Sequence, residues 1–492
     1  MKLKLVVLAA CALAVSGLLA WLGKLNLPTG HDWSLYPGLE AADMAWVSIC
    51  AGLVMLMTPA LGFFYGGLVR RKNLVSTVVQ CFTIFAIACG VWTLWGYSLA
   101  FAPTHHGLVG GLRYLLLHGI GMAPLEDYSP TLPALSHYFF QMKFAAITPA
   151  LIIGAIAERI RFGPLLVFIV IWTTGVYAPV AHWVWGAGGW LLRLGALDFA
   201  GGTVVHILAG VSALAAALVV GRRTDCPDAE EGPSNVPYVI LGAALLWFGW
   251  FGFNAGSALA MNGLAVNALV VTNLAAAFAT LSWITVDWVA RGKPTATGAA
   301  IGAVCGLVAI TPASGYVDVT AAIIIGLLAG VICNFMVLAL SRTRLDDTLD
   351  VFACHGIGGI WGALATGLFA QKLVNPAASD GLLYGNPRQL LVQVTAVVVS
   401  AAWGFCASYA ILKVLDWGMG LRVSPEEEAL GLDVSQHGEI AYGEMTWYVP
   451  SVIQPTVPDN GGEAIPVGTR NMPPFRYTFE TKRAEKPPWR CP

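Results

Sequence analysis

The chain is organised around the stretch Asp198-Phe199-Ala200-Gly201-Gly202-Thr203-Val204-Val205-His206, which continues into the apolar run 207–214. An aspartate is followed by small and apolar residues, and a histidine then stands well inside an apolar helix. A second histidine ends the similar stretch Asp350-Val351-Phe352-Ala353-Cys354-His355. Because a polar side chain in the hydrocarbon of a bilayer is costly, such a residue indicates a functional site. The two histidines are therefore predicted to meet inside a membrane and to line a conduction path.

The composition is that of a membrane protein. Of the 492 residues, 57% are hydrophobic and only 11% are charged, whereas a soluble domain carries about 25% charged residues. The net charge of −1 gives no reason to expect a nucleic acid or another polyanion as a partner. The ten cysteines are scattered and form no Cys-x-x-Cys pair. Small buried side chains are therefore favoured over disulfides or a metal site.

Eleven apolar segments are long enough to be membrane helices, each of which needs about 20 residues. They lie near 42–67, 75–102, 138–157, 164–185, 200–220, 237–258, 264–290, 297–314, 319–341, 350–371 and 388–415. Residues 40–415 are therefore assigned to a transmembrane domain. Ahead of it, two lysines precede an apolar run from Leu5 to Leu22, which is typical of a signal peptide. Residues 1–30 are assigned to this peptide and a short N-terminal segment, and an uncleaved run would be a further membrane helix.

Lysine and arginine concentrate in alternate loops between these segments. The rich set contains Arg70, Arg71, Lys72, Arg159, Arg161, Arg222, Arg223, Arg291, Lys293, Arg342 and Arg344. The poor set contains Arg113, Arg193, Lys372 and Arg388. Loops with an excess of positive charge stay in the cytoplasm. A multi-pass protein of the cell (inner) membrane is thus predicted, with its mature N terminus outside and its C-terminal tail in the cytoplasm.

The two halves of the membrane domain repeat short sequence motifs, which are called words below. Ala146–Ala150 recurs unchanged as Ala309–Ala313, and Gly62–Gly66 is echoed by Gly252–Gly256. Together with the two Asp…His stretches, these words pair helix 1 with 6, 3 with 8 and 5 with 10. Since five is an odd number, the second half enters the membrane from the opposite side. The prediction is an all-α membrane protein of two inverted five-helix repeats and a final helix, a plan common in transporters, with its site near the midplane.

The histidines suit proton or hydrogen-bond chemistry. Neutral imidazole both donates and accepts, so a pair can form a hydrogen-bonded rail or relay protons. At 1.5 Å per residue, His206 lies roughly 12 Å past Asp198, and His355 roughly 7.5 Å past Asp350. Histidines that merely pack are the alternative. A metal site needs three or more ligands, and no acidic residue stands three or four positions from either histidine, so no metal or other cofactor is predicted.

The aspartates Asp198 and Asp350 are expected to begin their helices as N-caps, and a carboxylate at an outer vestibule also favours cations. Beyond the last helix, residues 416–442 form a predicted cytoplasmic tail. Within it, Ser424-Pro425-Glu426-Glu427 has the pattern of a capping box with proline at the first helical position, which predicts a short helix. Residues 443–492 are rich in proline, glycine and charge and are expected to be irregular.

Several words of the sequence resemble those of one known family. They are Gly62–Arg70, Ile156–Phe162, Asp198–His206, Gly249–Ser257, Asp350–Gly356 and the tail word Gly431–Glu439. In these words the chain resembles the ammonium transporter (Amt/Mep/Rh) family, in its Amt branch, over residues 40–442. The resemblance implies a homotrimeric ammonium transporter in the lipid bilayer, with one pore per subunit, and not an enzyme.

The resemblance also implies a role for each of several residues. They are Trp185, Ser257 and Phe140 at an outer recruitment site, Phe144 and Phe253 as stacked gate rings, His206 and His355 as twin pore histidines, and Asp198 as a support for deprotonation. Thr311 is a further candidate for the pore lining. A tryptophan π-face attracts a cation, and a serine hydroxyl accepts an N–H bond, which potassium cannot offer. Ammonium can leave its proton behind before it enters an apolar pore, and potassium cannot.

Three other interpretations stay open. A Rh-type channel for neutral ammonia or carbon dioxide has no need of a cation site, so Trp185 and Ser257 argue against it. A sensor would act through a fused or partner domain. The tail of about 75 residues is too short and irregular for a catalytic signalling domain, although it could dock a PII-type signal protein. A membrane-embedded metalloenzyme lacks a third ligand.

One residue departs from the family pattern. Lys143 directly precedes Phe144, where the family has a small or apolar residue. We expect its amine to snorkel to the outer interface or to face a neighbouring subunit. In the vestibule it would instead repel a cation.

Overall fold

The computed structural model describes residues 36–224 and 232–442. The predicted signal peptide and the extension 443–492 lie outside the described residues. Every helix and strand discussed below belongs to one structural unit, which ends at Ala441.

Eleven apolar helices run through the described part of the chain, as the sequence predicts. They are α1 (Ala41–Leu68), α2 (Arg71–Phe101), α3 (Ala134–Ala155), α4 (Phe162–Leu194), α5 (Gly202–Val220), α6 (Val236–Gly256), α7 (Gly263–Arg291), α8 (Ala296–Ile310), α9 (Val319–Leu340), α10 (Phe352–Phe369) and α11 (Pro387–Met419). Ten of them are long and apolar enough to cross a membrane, and α8 is shorter, with 15 residues. The prediction that α8 extends to residue 314 is wrong. The helix ends at Ile310 and turns follow it. Pro312 has no N–H to continue the helical hydrogen bonds, and its carbonyl accepts instead from the N–H of Phe199 at 3.1 Å.

Two short antiparallel hairpins lie in the connection between α2 and α3. β1 (Thr104–His105) pairs with β2 (Val109–Gly110), and β3 (Pro124–Leu125) pairs with β4 (Ser129–Pro133). We call the end of the bundle that carries this connection the predicted outer face. The opposite end, which carries the loop before α2, is called the predicted cytoplasmic face.

The start of α5 is capped by Asp198. Its Oδ1 accepts from the N–H groups of Gly201 and Gly202 at 2.9 and 2.6 Å. Its Oδ2 accepts from Thr203 and Val204 at 2.8 and 3.1 Å. The first N–H groups of a helix have no partner within the helix, and the helix dipole favours a negative charge beside them. The expected capping role of Asp198 is confirmed.

The corresponding residue in the second half is Asp347 and not Asp350. Asp347 Oδ2 accepts from the N–H of Phe352 at 2.7 Å, and eight residues separate Asp347 from His355, as eight separate Asp198 from His206. The expectation that Asp350 caps α10 is wrong. The chain turns just before the helix, where the Asp350 N–H donates to the Asp347 carbonyl at 3.2 Å and Asp350 has a φ of +55°. The residue at the start of this turn therefore reaches the first helical N–H groups.

Both histidines lie in single π-helical turns that open their helices. These turns span Gly202–Ile207 in α5 and Phe352–Ile357 in α10. π-Helical turns are rare and occur frequently at functional sites. The matched aspartate, spacing and π turn relate the two halves as the inverted repeat that the sequence predicts.

The helices α5 and α10 cross at glycines that stand four residues after each histidine. A Cβ added to Gly210 would fall on the backbone of Gly356, and one added to Gly359 would lie 3.1 Å from the Cβ of His206. Small residues allow helix backbones to approach closely within a membrane. This close crossing is what lets the two histidine side chains reach each other.

Buried ion pairs join the loops of the predicted cytoplasmic face. Glu158 Oε2 lies 2.7 Å from Arg70 Nε and 3.0 Å from Arg223 Nη1, and Arg223 also pairs with Asp346 at 2.9 Å. Burial alone would raise the pKa of Glu158, but the guanidinium groups of Arg223 and Arg70 outweigh it and hold the pKa below its usual value. These pairs fix the ends of α1, α3 and α5 relative to one another.

The described part of the tail packs against the same loops. α12 (Pro425–Leu430) begins with the predicted capping box, in which Ser424 and Glu427 exchange two hydrogen bonds. Further on, Asp433 accepts from the N–H groups of Val75 and Ser76 at 3.0 and 2.7 Å. The tail thus supplies a cap for the start of α2.

Candidate functional site

Four aromatic rings from three helices meet near the predicted outer face. The ring of Phe144 lies 4.9 Å from that of Phe140, 4.3 Å from that of Phe253 and 6.0 Å from that of Trp185, between centroids. The Phe144 and Phe253 rings are inclined by 36°, and Trp185 meets Phe144 edge-on at 86°. The phenylalanines are buried and Trp185 is half-buried. The aromatic residues predicted for the recruitment site and for the gate are therefore neighbours.

Trp185 is held by the residue that caps α5. Its indole Nε1 donates to the backbone carbonyl of Asp198 at 2.8 Å. Burial raises the pKa of the Asp198 carboxyl, although the hydrogen bonds from Val204, Thr203 and the two glycines act in the opposite direction. Asp198 therefore positions the tryptophan ring through its backbone and the start of α5 through its side chain.

Ser257 directly follows α6, four residues after Phe253. Its hydroxyl donates to the Phe253 carbonyl at 2.9 Å, and the side chain is half-buried. Because the hydroxyl hydrogen is already used, the oxygen lone pairs are left to accept from an N–H donor. The hydroxyl therefore suits a ligand that donates hydrogen bonds.

The two histidines are in direct contact. His206 Nδ1 lies 3.2 Å from His355 Nδ1, and the rings are nearly parallel, at 23° with centroids 5.3 Å apart. The side chains are buried, with 1% and 4% of their surface exposed. His206 Nε2 is buried and has no hydrogen-bond partner. A buried polar atom without a partner costs about 1–3 kcal/mol, so a ligand that bonds to it gains that much.

A narrow cavity lies beside the histidines and the inner gate ring. It is lined by Met57, Leu61, Phe64, Ile147, Leu151, Val205, His206, Leu246, Trp250, Phe253, Val304 and His355. It has room for about one water-sized molecule. The imidazoles and one indole are the polar groups of this lining. Within residues 36–224 and 232–442, no group of three or more histidine, cysteine or acidic side chains could hold a metal ion.

Trp250 is a site residue for which the sequence predicts no role. Its ring stacks on His206 at 21° with centroids 5.4 Å apart, and its Nε1 donates to Thr311 Oγ1 at 2.9 Å. Thr311 thus lies behind the indole, on the side of Trp250 to which the Nε1 points. The position of Trp250 in the word Gly249–Ser257, three residues before Phe253, was the available signal.

Lys143 packs between α2 and α3. Only 3% of its surface is exposed. Its Nζ lies 3.7 Å from the ring centroid of Phe139 and 5.6 Å from that of Phe85. Cation–π contacts of this kind stabilise a desolvated amine. The amine reaches back one helical turn along α3, towards the predicted outer face.

The two halves repeat the same aspartate, π turn and histidine, and they meet at a buried cavity. This arrangement defines a membrane transport protein built as an inverted repeat. The comparisons with known proteins specify the class further. A family model described as the Ammonium Transporter Family matches residues 45–442. This chain belongs to the ammonium transporter family.

Relatives and solved structures agree with this assignment. The ammonium transporter of Bacillus subtilis is 49% identical over 405 residues, which cover 82% of this chain and 99% of that protein. Ammonium transporter Amt1 of Archaeoglobus fulgidus is 47% identical over 404 residues, which cover 82% of this chain and all of that protein. The crystal structure of Saccharomyces cerevisiae Mep2 has a TM-score of 0.77 at 36% identity and covers 85% of this chain and 94% of its own. The Bacillus subtilis and Archaeoglobus fulgidus relatives are named as ammonium transporters, in agreement with the expectation of a transporter and not an enzyme.

Proposed function

We propose that this protein conducts ammonium or ammonia across a membrane. The observation that carries the proposal is the buried His206–His355 pair with its unpaired Nε2 atom in an otherwise apolar cavity. A neutral ammonia molecule that enters the cavity can form a hydrogen bond there in place of one that it makes with water outside. An ion of fixed charge finds no counter-charge in this lining and pays the full cost of desolvation.

Recruitment of the cation takes place at Trp185, Ser257 and Phe140. The π-faces attract a cation, and the Ser257 oxygen has lone pairs free for an N–H donor. Potassium gains the cation–π attraction but has no N–H group to donate to the Ser257 oxygen, so this site prefers ammonium. Below it, the Phe144 and Phe253 rings close the path, and a molecule passes only when they separate.

Ammonium gives its proton to the histidine pair when the rings separate, so that neutral ammonia enters the cavity and the pair carries the proton separately. Asp198 supports this step by holding Trp185 at the rim of the site through its carbonyl. Its carboxylate is engaged by four backbone N–H groups, so its negative charge stays fixed beneath the recruited cation. The free acceptor for a proton is then a histidine nitrogen.

The charge distribution and the family support a further part of the proposal, which concerns the surroundings of the protein. The protein resides in the cell (inner) membrane as a homotrimer, with the signal peptide removed, its N terminus outside and its C terminus in the cytoplasm. The tail 416–442 is the surface where a PII-type signal protein would dock. One structural relative is titled Sensor Amt Protein, at a TM-score of 0.75 and 32% identity, which favours sensing as a second candidate function.

Transport is tested with the purified full chain in liposomes on a solid-supported membrane. A step of ammonium should give a current at least about tenfold larger than an equal step of potassium. In Ser257→Ala, the ammonium concentration for half-maximal current should rise about fivefold, the effect of one lost hydrogen bond. Equal currents for the two ions would contradict the proposal. Ammonia flux without current would favour the neutral-gas channel.

Lys143→Ser is expected to change the ammonium current by less than about twofold. The amine contacts Phe139 and Phe85, so its positive charge does not lie in the recruitment site. The measurement is the same current, with Lys143→Met as the variant of matched size. A large gain of current in both variants would mean that the lysine repels the cation.

A further inference from the structure

We propose that Thr311 is a positioning residue, which keeps the indole N–H of Trp250 turned away from the pore. The inference rests on the proposed function and adds to it a residue that acts through Trp250. Thr311 and Trp250 are 0% and 2% exposed, and they come from α6 and from the end of α8. Their contact therefore joins two helices of the second half of the repeat beside the cavity.

The hydrogen bonds at Thr311 have a defined direction. A tryptophan Nε1 can only donate, so Thr311 Oγ1 accepts from it at 2.9 Å. The same hydroxyl donates its hydrogen to the Leu307 carbonyl at 2.7 Å. Indole, hydroxyl and carbonyl thus form a chain in which each donor has one acceptor. Valine at position 311 would keep the shape of the side chain and remove the middle of this chain.

The orientation of the indole matters because His206 stacks on it. The ring centroids are 5.4 Å apart, and Phe253 lies 5.5 Å from Trp250 on the same wall. His206 Nε2 has no partner. When His206 donates from Nδ1 to His355, this Nε2 is a bare acceptor. An indole N–H released from Thr311 would turn to it, because a buried donor without a partner is unfavourable, and would occupy the atom that the substrate needs.

Two substitutions separate the hydroxyl from the packing at this position. Thr311→Val should lower the ammonium current about tenfold, while Thr311→Ser, which keeps the hydroxyl, should stay within about twofold of the wild type. Ser408→Ala is the matched control, since Trp172 Nε1 donates to Ser408 Oγ at 2.9 Å and to Ser212 Oγ at 3.1 Å, away from the cavity. It should leave the ammonium current and the preference over potassium unchanged.

A second measurement does not depend on transport. The indole ¹⁵N–H resonance of Trp250, identified by its loss in Trp250→Phe, should shift in Thr311→Val and return towards its wild-type position in Thr311→Ser. An unshifted resonance in Thr311→Val overturns the inference and leaves the proposed function intact. A current in Thr311→Val equal to that of the wild type, or an equal loss in the valine and serine variants, also overturns it. Failure of the proposed function is recognised separately, as a wild type that does not prefer ammonium to potassium.

Discussion

Replacing both His206 and His355 with alanine lowers the expected ammonium current at least about a hundredfold, because several kcal/mol of stabilisation are lost inside the membrane. Without the imidazoles, the cavity offers neutral ammonia no hydrogen-bond partner and offers the proton no separate carrier. An intact ammonium ion would then have to enter an apolar space without a counter-charge. The measurement is the ammonium and potassium current of the reconstituted double variant, relative to the wild type.

A matched control is a buried histidine outside the site. His182 is fully buried in α4, where its Nδ1 contacts the Ala100 carbonyl at 2.8 Å and its Nε2 contacts Thr104 Oγ1 at 2.7 Å. His182→Gln should reduce thermal stability and keep the preference for ammonium. The relay hypothesis is wrong if the double alanine variant still moves one charge per ammonium with unchanged selectivity.

Replacing Gly210 with alanine is expected to abolish transport and to destabilise the protein by about 1–3 kcal/mol, the range for an overpacked core. The added methyl group would fall on the backbone of Gly356, so α5 and α10 must separate. The Nδ1 atoms of His206 and His355, now 3.2 Å apart, would then exceed hydrogen-bond distance. Thermal unfolding in detergent and the ammonium current measure the two effects.

Gly52→Ala is the control for this substitution. Nothing lies within 4 Å of a Cβ added at Gly52 in α1. Alanine is favoured over glycine within a helix by about 0.5–1 kcal/mol, so this variant should unfold at the same temperature or a higher one. If Gly210→Ala behaved like Gly52→Ala in both measurements, the close crossing of the helices would not be what holds the histidines together.

The number and order of helices followed from the sequence because lipid imposes a simple rule on length and apolarity. The internal repeat could also be recognised in the sequence, since short words recur at equivalent places in both halves. It predicted that His206 and His355 enter the membrane from opposite faces. The sequence also predicted that they meet, but the distance and angle of their contact did not follow, because depth along two helices says nothing about how the helices cross.

Identical words need not have identical structures, as helices α3 and α8 demonstrate. Ala146–Ala150 lies inside α3, whereas the same five residues at Ala309–Ala313 run past the end of α8. The second copy has a partner that the first does not share. The Pro312 carbonyl accepts from the N–H of Phe199 at 3.1 Å, just after the residue that caps α5. A proline alone therefore does not end the helix, and the end of α8 coincides with a contact to a residue more than a hundred positions away in the chain.

Two other features lay beyond local inference for the same reason. Asp347 and Asp350 are equally plausible caps by composition, and only the turn between them selects Asp347. The bond between Trp250 and Thr311 joins residues 61 positions apart, and no periodicity predicts it. What the sequence left open at this site was the set of contacts that segments distant in the chain make with one another.

The bond between the Nδ1 atoms of His206 and His355 also has a direction. In a neutral pair one Nδ1 carries the hydrogen and the other accepts it, so there are two arrangements, and the symmetry of the halves exchanges them. In the proposed relay, a proton that enters at the Nε2 of one ring and leaves from the Nε2 of the other would reverse the bond. A second proton cannot follow until both rings have recovered the first arrangement. If the pair relays protons as proposed, its arrangement depends on the direction in which the last proton crossed it, and the time that both rings need to return would limit the rate of the relay.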